Sequence, residues 1–312
     1  MRICVTGGAG FVGSHVVDAY LAAGHQVCIV DNLFTGKISN LNPAARFYQV
    51  DIVSPGLDEV IRQEKPEAVL HQAARVDVRA SMEQPILYAQ TNIIGSLNLL
   101  ESCRRHGVRK IIYAQSGGCI YGEPIELPSP EDHIIQPIDP YGVSKYPMEL
   151  YLKAYAHQFE IKYTILRYPN VYGPRQDYTG EAGVVSIFAR QMLLGAPVII
   201  NGSGEQLRDY VYCTDIALAN RLALEKGDNE IFNVGSGFPT SVNQLFTMMK
   251  EITSYQREAV YGPPRPGEVS ASYLNSNKAE RELKWKSMVL LCEGLRNTVE
   301  FVRTQLKQEG AL

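Results

Sequence analysis

From Arg2 to Arg167, short apolar or β-branched runs alternate with longer stretches in which apolar residues return every three or four positions. The runs Arg2–Thr6, Gln26–Val30, Phe47–Val50, Ala68–His71, Lys110–Ala114 and Tyr163–Arg167 predict strands, because near-continuous apolar residues suit a strand covered on both faces. The spacing within Val12–Ala23, Leu57–Arg62, Ile86–His106 and Tyr141–Gln158 predicts helices. Strands separated by helices imply an α/β fold, a doubly wound parallel sheet with helices on both faces.

After Arg167 the texture changes. Tyr168–Gly183 and Gly202–Asp209 read as loops, rich in glycine and polar side chains, and loops of this kind are where a substrate site is expected. A helix at Asp215–Lys226, a strand at Ile231–Val234, a helix at Ser241–Ile252, a Pro-rich segment at Gly262–Gly267 and two C-terminal helical runs follow. The pattern predicts one domain over residues 1–168, with a return segment near 214–232. Residues 169–213 and 233–312 then form a smaller interleaved C-terminal substrate domain, and a chain of 312 residues is long enough for both.

Charge narrows the partners. With 30 basic and 33 acidic side chains the formal charge is −3, which gives no field to hold a polyanion, so nucleic acid is not expected as a partner. The six cysteines lie far apart, with no C-x-x-C pair and no metal-ligand spacing to histidine, and read as free thiols with no metal site. Met1-Arg2 runs straight into an apolar strand, and no stretch of eighteen apolar residues occurs. A cytoplasmic protein without a membrane partner is the expectation.

Gly7-Gly8-Ala9-Gly10-Phe11-Val12-Gly13 follows the first strand and opens the first helix. Glycine lets the backbone turn tightly and approach a pyrophosphate at the helix N-terminus, where free N–H groups favour anions. The second strand runs to Asp31, placed to accept hydrogen bonds from an adenosine ribose and to repel a 2′-phosphate, so NAD is favoured over NADP. Asp51-Ile52, after the third strand, could bracket the adenine in the same way, although Asp after a strand is as often a helix cap.

Tyr141 and Lys145 stand four apart at the start of a predicted helix, hence on one face. An adjacent ammonium, together with a nicotinamide's charge, would lower the phenol's pKa and make it a usable base. The spacing alone is unspecific. It is the sole Tyr-x-x-x-Lys in the chain, and it follows a loop after the fifth strand, which places it at the carboxyl edge of the sheet.

Taken together, Thr6–Gly13, Asp31, His71-Gln72-Ala73-Ala74, Asn92, the Ser116–Gly122 loop and Tyr141-x-x-x-Lys145 resemble the extended short-chain dehydrogenase/reductase family. Arg167–Arg175, Gly202–Tyr212 and Arg265-Pro266-Gly267-Glu268 resemble its nucleotide-sugar epimerase branch, and the likeness spans almost the whole chain. The resemblance implies a Rossmann sheet and tightly bound NAD. It implies inversion at C4 of a UDP-hexose through a 4-keto sugar, with hydride stored on the cofactor and returned. Cofactor contacts implied are Gly7, Gly10, Phe11, Val12, Gly13, Asp31, Asn32, Asp51, Ile52, Ala73, Ala74, Asn92, Tyr141, Lys145 and Tyr168. Tyr141 is the implied base, Lys145 its partner, and Ser116 the hydrogen-bond donor to the reacting oxygen. Many relatives carry that hydroxyl where this chain has Gly117, so Gln115 or a water is the alternative to Ser116.

Substrate contacts implied are Ser116, Tyr141, Asn170 and Arg208 at the sugar and diphosphate, with Arg265 and Glu268 at the uridine side. Ser272 matches a position that gates N-acetyl sugars in some epimerases, and its small side chain would admit them. Dehydratase and decarboxylase relatives place acidic residues just after the catalytic hydroxyl, whereas this loop reads Ser116-Gly117-Gly118-Cys119. Inversion of UDP-glucuronate stays open, and a non-catalytic dinucleotide-binding scaffold would have no use for Tyr141 and Lys145. Relatives also suggest a homodimer formed by Ile86–His106 and Tyr141–Gln158.

Overall fold

The computed structural model describes residues 1–178, 183–265 and 267–312. The first half runs β1 (Arg2–Thr6), α1 (Phe11–Ala22), β2 (Gln26–Asp31), β3 (Arg46–Gln49), α2 (Gly56–Glu64), β4 (Ala68–His71), α3 (Val78–Glu83), α4 (Pro85–Ala89), α5 (Ser96–Arg105) and β5 (Lys110–Ser116). Then come α6 (Pro140–Lys145), α7 (Pro147–Phe159), β6 (Lys162–Tyr168), β7 (Asn170–Tyr172), α8 (Val184–Leu193), β8 (Ile199–Asn201), β9 (Leu207–Tyr212) and α9 (Cys213–Ala223). The chain ends with β10 (Glu230–Asn233), β11 (Pro239–Ser241), α10 (Val242–Thr253), β12 (Val260–Gly262), β13 (Ala271–Ser272) and α11 (Leu291–Gln308).

Seven strands form one sheet in the order β10-β6-β5-β4-β1-β2-β3, every pair parallel. Strand order reverses between β1 and β4, whose last paired residues are Thr6 and His71. Ligands of doubly wound sheets bind outside the carboxyl ends at this reversal, so the crevice above Thr6 and His71 is the expected site. Both faces are covered. Val16, Val17 and Tyr20 of α1 pack with Ile216 and Ala219 of α9 in one core, and Leu57, Ile61, Leu99 and Leu152 from α2, α5 and α7 pack in the other. Burial on both faces explains why the central strands read as unbroken apolar runs rather than alternating ones.

A third core, including Phe188, Ile200, Tyr212, Phe246 and Leu295, joins α8, α10 and α11 to a small sheet in which β9 pairs with β7, β11 and β13. Here local reading of the sequence fell short. Gly202–Asp209, expected as loop, contains the start of β9, and α3 and α8 were not foreseen. The first of the two C-terminal helical runs is only a π turn at Ala279–Leu283, stopped by Lys284 at φ 60°; the second is α11.

Two predicted helices are interrupted. Ile86–His106 winds as a π-helix over Gln90–Gly95, where Asn92 turns inward and a Cβ on Gly95 would sit 2.8 Å from Ile52 Cγ1. Such π segments accommodate an inward-pointing functional or packing residue. Tyr141–Gln158 divides into α6 and α7 at Tyr146, ahead of Pro147, which has no N–H for the helical ladder. Residues 179–182 of the Tyr168–Gly183 stretch, and Pro266 of the Arg265–Glu268 motif, lie outside the described residues.

Candidate active site

The glycine turn after β1 is built for close approach. Gly7 has φ +73°, and a Cβ there would lie 2.7 Å from the Ala73 nitrogen. A Cβ on Gly13 would collide with the Gly7 carbonyl, so α1 can start against the turn only with glycine at both ends. Gly10 caps α1 without any side-chain bond, and the first turn carries no acidic residue. Its backbone N–H groups and the positive end of the helix dipole therefore face the cleft, an arrangement that suits a diphosphate.

Asp31 ends β2, with Oδ2 accepting from the Ala9 N–H at 3.0 Å and Oδ1 from the Leu33 N–H at 2.8 Å. Burial raises the carboxyl's pKa and the two N–H donors oppose the rise. Each oxygen keeps a spare lone pair for a ribose hydroxyl. Asp51 accepts from the Asn32 amide at 2.8 Å and from the Val53 N–H at 3.0 Å, which locks the two sides of the same rim together. A cleft of about 710 Å³ is lined by Gly7, Gly10–Gly13, Asp31, Asn32, Asp51, Ile52, Ala73 and Ala74. Turn, helix end, acidic rim and apolar wall all fit a dinucleotide such as NAD.

Asp139-Pro140 starts α6: the Asp139 carboxylate accepts from the Gly142 N–H at 2.7 Å, and proline occupies the first turn, where its missing N–H costs nothing. This cap seats Tyr141 and Lys145 one turn apart, 8% and 3% exposed. The Tyr113 hydroxyl and the Gln115 amide, two apart on β5, both donate to the Lys145 carbonyl, at 3.0 and 3.2 Å. The Lys145 ammonium lies 4.2 Å from the Tyr113 ring centroid. Ser116, the last residue of β5, places its hydroxyl where it lowers the pKa of both the Tyr141 phenol and the Cys119 thiol.

The electrostatics depart from expectation. Burial pushes the Tyr141 phenol well above its ordinary value, and the nearby Cys119 and Asp139 add to the rise, with the Ser116 hydroxyl opposing it. Burial also pulls Lys145 down to about 7, while the Glu149 carboxylate resists. Desolvation of both groups thus outweighs the lysine's expected acidifying effect on the tyrosine.

A second cleft of about 710 Å³ is lined by Asn170, Tyr172, Asn201, Arg208, Tyr210, Arg265 and Glu268, and it shares Val76, Gln176 and Gly183 with the first. Glu268 pairs with Arg208 at 3.0 Å rather than with Arg265. Arg265 instead faces the Asn201 side-chain amide. Two guanidinium groups on one wall suit paired phosphate oxygens.

Not every expected residue lines a cleft. Asn92 accepts from the Arg75 N–H at 2.8 Å and donates to Ser144 at 2.9 Å, so it holds the Ala73–Arg75 loop against α6 from beneath. The Tyr168 hydroxyl turns into the core, where the Asn220 amide donates to it at 2.9 Å. Tyr141, Lys145 and Ser116 lie outside both linings but beside them: Ser116 is in register with Tyr168, and a Cβ on Gly118 would lie 3.9 Å from Asn170 Oδ1. Ser272 is buried in β13, paired with Arg208. Tyr210 was missed: it lines the second cleft, and its buried hydroxyl has no hydrogen-bond partner among the described residues. Alternation along β9 could have found it, since Arg208 and Tyr210 share one face.

Comparison with known proteins agrees with this geometry. Residues 3–235 match the family described as the NAD dependent epimerase/dehydratase family. A UDP-glucose 4-epimerase of Mycolicibacterium smegmatis is 39% identical, over 98% of this chain and 99% of its own. The crystal structure of UDP-glucose 4-epimerase with UDP-glucose from Thermotoga maritima is 52% identical, with TM-score 0.97, over 98% of this chain and 100% of that one. The UDP-glucose 4-epimerase complex with NAD from Thermus thermophilus is 42% identical, with TM-score 0.93, over 97% of this chain and 99% of that one.

Proposed function

Because the chain belongs to the NAD dependent epimerase/dehydratase family, we propose that it inverts C4 of a UDP-hexose, interconverting UDP-glucose and UDP-galactose. The observation that carries the reading is the placement of Tyr141 and Lys145, buried one turn apart on α6, and of Ser116 at the end of β5, beside two clefts that share Val76 and Gln176, one shaped for a dinucleotide and one walled by Arg208 and Arg265. Bound NAD supplies reversible hydride acceptance and the positive charge of an oxidised pyridine ring.

The chain's own residues do the rest. Arg208, Arg265 and Asn170 hold the diphosphate and uridine, leaving the sugar to reach toward β5. Tyr141 Oη takes the proton of the 4-hydroxyl and later returns it, with Ser116 orienting the reacting oxygen. Lys145 provides a buried cation one helical turn from Tyr141. Carboxylates that would run elimination are absent from Ser116–Cys119.

Incubating the purified protein with UDP-galactose, UDP-N-acetylgalactosamine and UDP-galacturonate, and separating the C4 epimers, tests the reading. Turnover of the galacturonate alone would replace it with uronate epimerisation, and no turnover of any would end it. Dinucleotide released on denaturation identifies the cofactor.

The same proposal includes galactose metabolism, a cytoplasmic location and a homodimer. No helix among the described residues is long and apolar enough to cross a membrane. Ile86, Ile94, Leu150 and Tyr151 are exposed on α4, the π segment and α7, which supports pairing of these helices across a twofold. A light-scattering mass of one subunit at micromolar concentration would remove the dimer. We also keep the division into residues 1–168 with the 214–232 return, and 169–213 with 233–312: β10 and α9 pack in the main sheet layers, and the third core lies in the remainder.

A further inference from the structure

Beneath the proposed catalytic residues lies a buried charge network. Arg167 and Glu149 form a two-pronged ion pair, Nη2 to Oε2 at 2.7 Å and Nε to Oε1 at 3.0 Å, with side chains 3% and 1% exposed. Glu149 Oε1 also accepts from the Gln115 amide at 3.1 Å, and Gln115 Oε1 in turn accepts from the Ser116 N–H at 2.9 Å. Arg167 spends its remaining Nη1 on the Tyr121 hydroxyl at 2.8 Å and the Glu131 carbonyl at 2.7 Å. Every group in the network is thereby satisfied.

A buried ion pair is weak evidence for stability, since apolar residues of the same volume usually serve as well or better. Its location here suggests another use. Tyr141, Lys145 and Glu149 recur every four residues across α6 and the start of α7, one above the other on a single face. The titratable groups that face Lys145 are Glu149 from α7, and Tyr113 and His71 from β5 and β4; Cys119, Asp139 and Tyr88 face Tyr141. Of these, Glu149 is the carboxylate that acts on the lysine.

We propose that Glu149 is a positioning residue for the reaction, tying the Ser116 backbone through Gln115 to the helix that carries Tyr141 and Lys145 and setting a buried negative charge one turn along that helix from Lys145. Arg167 fixes the carboxylate in place and shares its charge, so that Glu149 does not capture the lysine outright. The inference rests on the epimerase reading above. Burial pulls Lys145 down to about 7, with Glu149 opposing the fall. Removing the carboxylate lowers that value further, so the ammonium is lost at a lower pH.

The test uses holoenzyme with UDP-galactose, reading kcat and KM from pH 6 to 10. In Glu149→Gln the fall of kcat with rising pH is expected to move down by about one unit, with kcat at pH 8 reduced about tenfold, the factor that one unit represents. KM and the affinity for UDP alone should change little, because neither contact touches the nucleotide. Glu149→Asp should recover part of kcat and of the profile. Since Glu149→Gln strands a buried guanidinium, Glu149→Gln/Arg167→Met serves as a charge-free control checked by circular dichroism; with the guanidinium gone as well, its profile should shift less than that of Glu149→Gln, while kcat stays reduced because the carboxylate that fixes Gln115 is gone. Wild-type kcat in the folded double variant, or an unshifted pH profile in folded Glu149→Gln, would overturn the proposal. A wild-type protein inert toward every UDP-sugar would instead sink the epimerase reading, a separate outcome.

Discussion

Ser116, where β5 leaves the sheet, faces Tyr141 at the start of α6, and its hydroxyl opposes the rise that burial imposes on the phenol's pKa. This juxtaposition joins a strand end to a helix start across the loop between them, and it brings the proposed base to the proposed orienting hydroxyl. Replacing Tyr141 with Phe removes the titrating oxygen and keeps the ring. Turnover should fall about 10³-fold while UDP affinity stays within a few-fold. Steady-state kinetics beside calorimetric UDP binding check this, and near-wild-type turnover would discard Tyr141 as the base.

Gly13→Ala should damage cofactor loading more than folding of the rest. Its Cβ collides with the Gly7 carbonyl, so the turn must open at the place where the diphosphate is proposed to lie. The variant is expected to release well under one dinucleotide per chain on denaturation, whereas Gly56→Ala, whose Cβ would meet its neighbours at ordinary distances of 3.4 Å and more, should release the wild-type amount. Equal loading of Gly13→Ala and wild type would contradict the placement.

Burial lowers the pKa of His71, which lies between Thr6 and Ser96, to about 3. Its folded value is below the ordinary 6.5, so the unfolded chain binds the extra proton between those limits. The stabilisation is complete above pH 6.5 and is lost as pH falls toward 3, at up to about 1.4 kcal/mol per unit. Urea unfolding of wild type and His71→Asn at pH 4, 5, 6 and 7 should show the steeper decline in the wild type. Parallel declines would mean that His71 does not carry the effect.

Ser272 bears on sugar choice. Its small side chain stands in β13 beside Arg208, within the substrate half of the chain. The expectation is measurable epimerisation of UDP-N-acetylglucosamine, lost selectively in Ser272→Tyr while UDP-galactose is still turned over. N-acetyl turnover indistinguishable from zero in the wild type, alongside active UDP-galactose, removes the idea.

Arg208 pairs with Glu268 on the wall of the second cleft, so its fork is already aimed and partly desolvated. Arg208→Lys keeps the charge but loses the planar fork, and KM for UDP-galactose should rise about tenfold or more with a smaller effect on kcat. Unchanged KM would place the diphosphate elsewhere.

Much of the protein is legible along the chain because its information is local. The run of apolar strands, the glycine turn before α1, Asp31 at the end of β2, and the Asp-Pro cap that seats Tyr141 and Lys145 are each set by residues a few positions apart. Steric limits and hydrogen-bond geometry act over that range, so period and motif suffice. Tertiary structure decided what depends on distant partners. It turned Asn92 beneath the cofactor loop, drew Tyr168 into the core toward Asn220, and paired Glu268 with Arg208 instead of Arg265. It also sent the tyrosine and lysine pKa values apart, because desolvation is a property of the surrounding packing and no residue spacing encodes it.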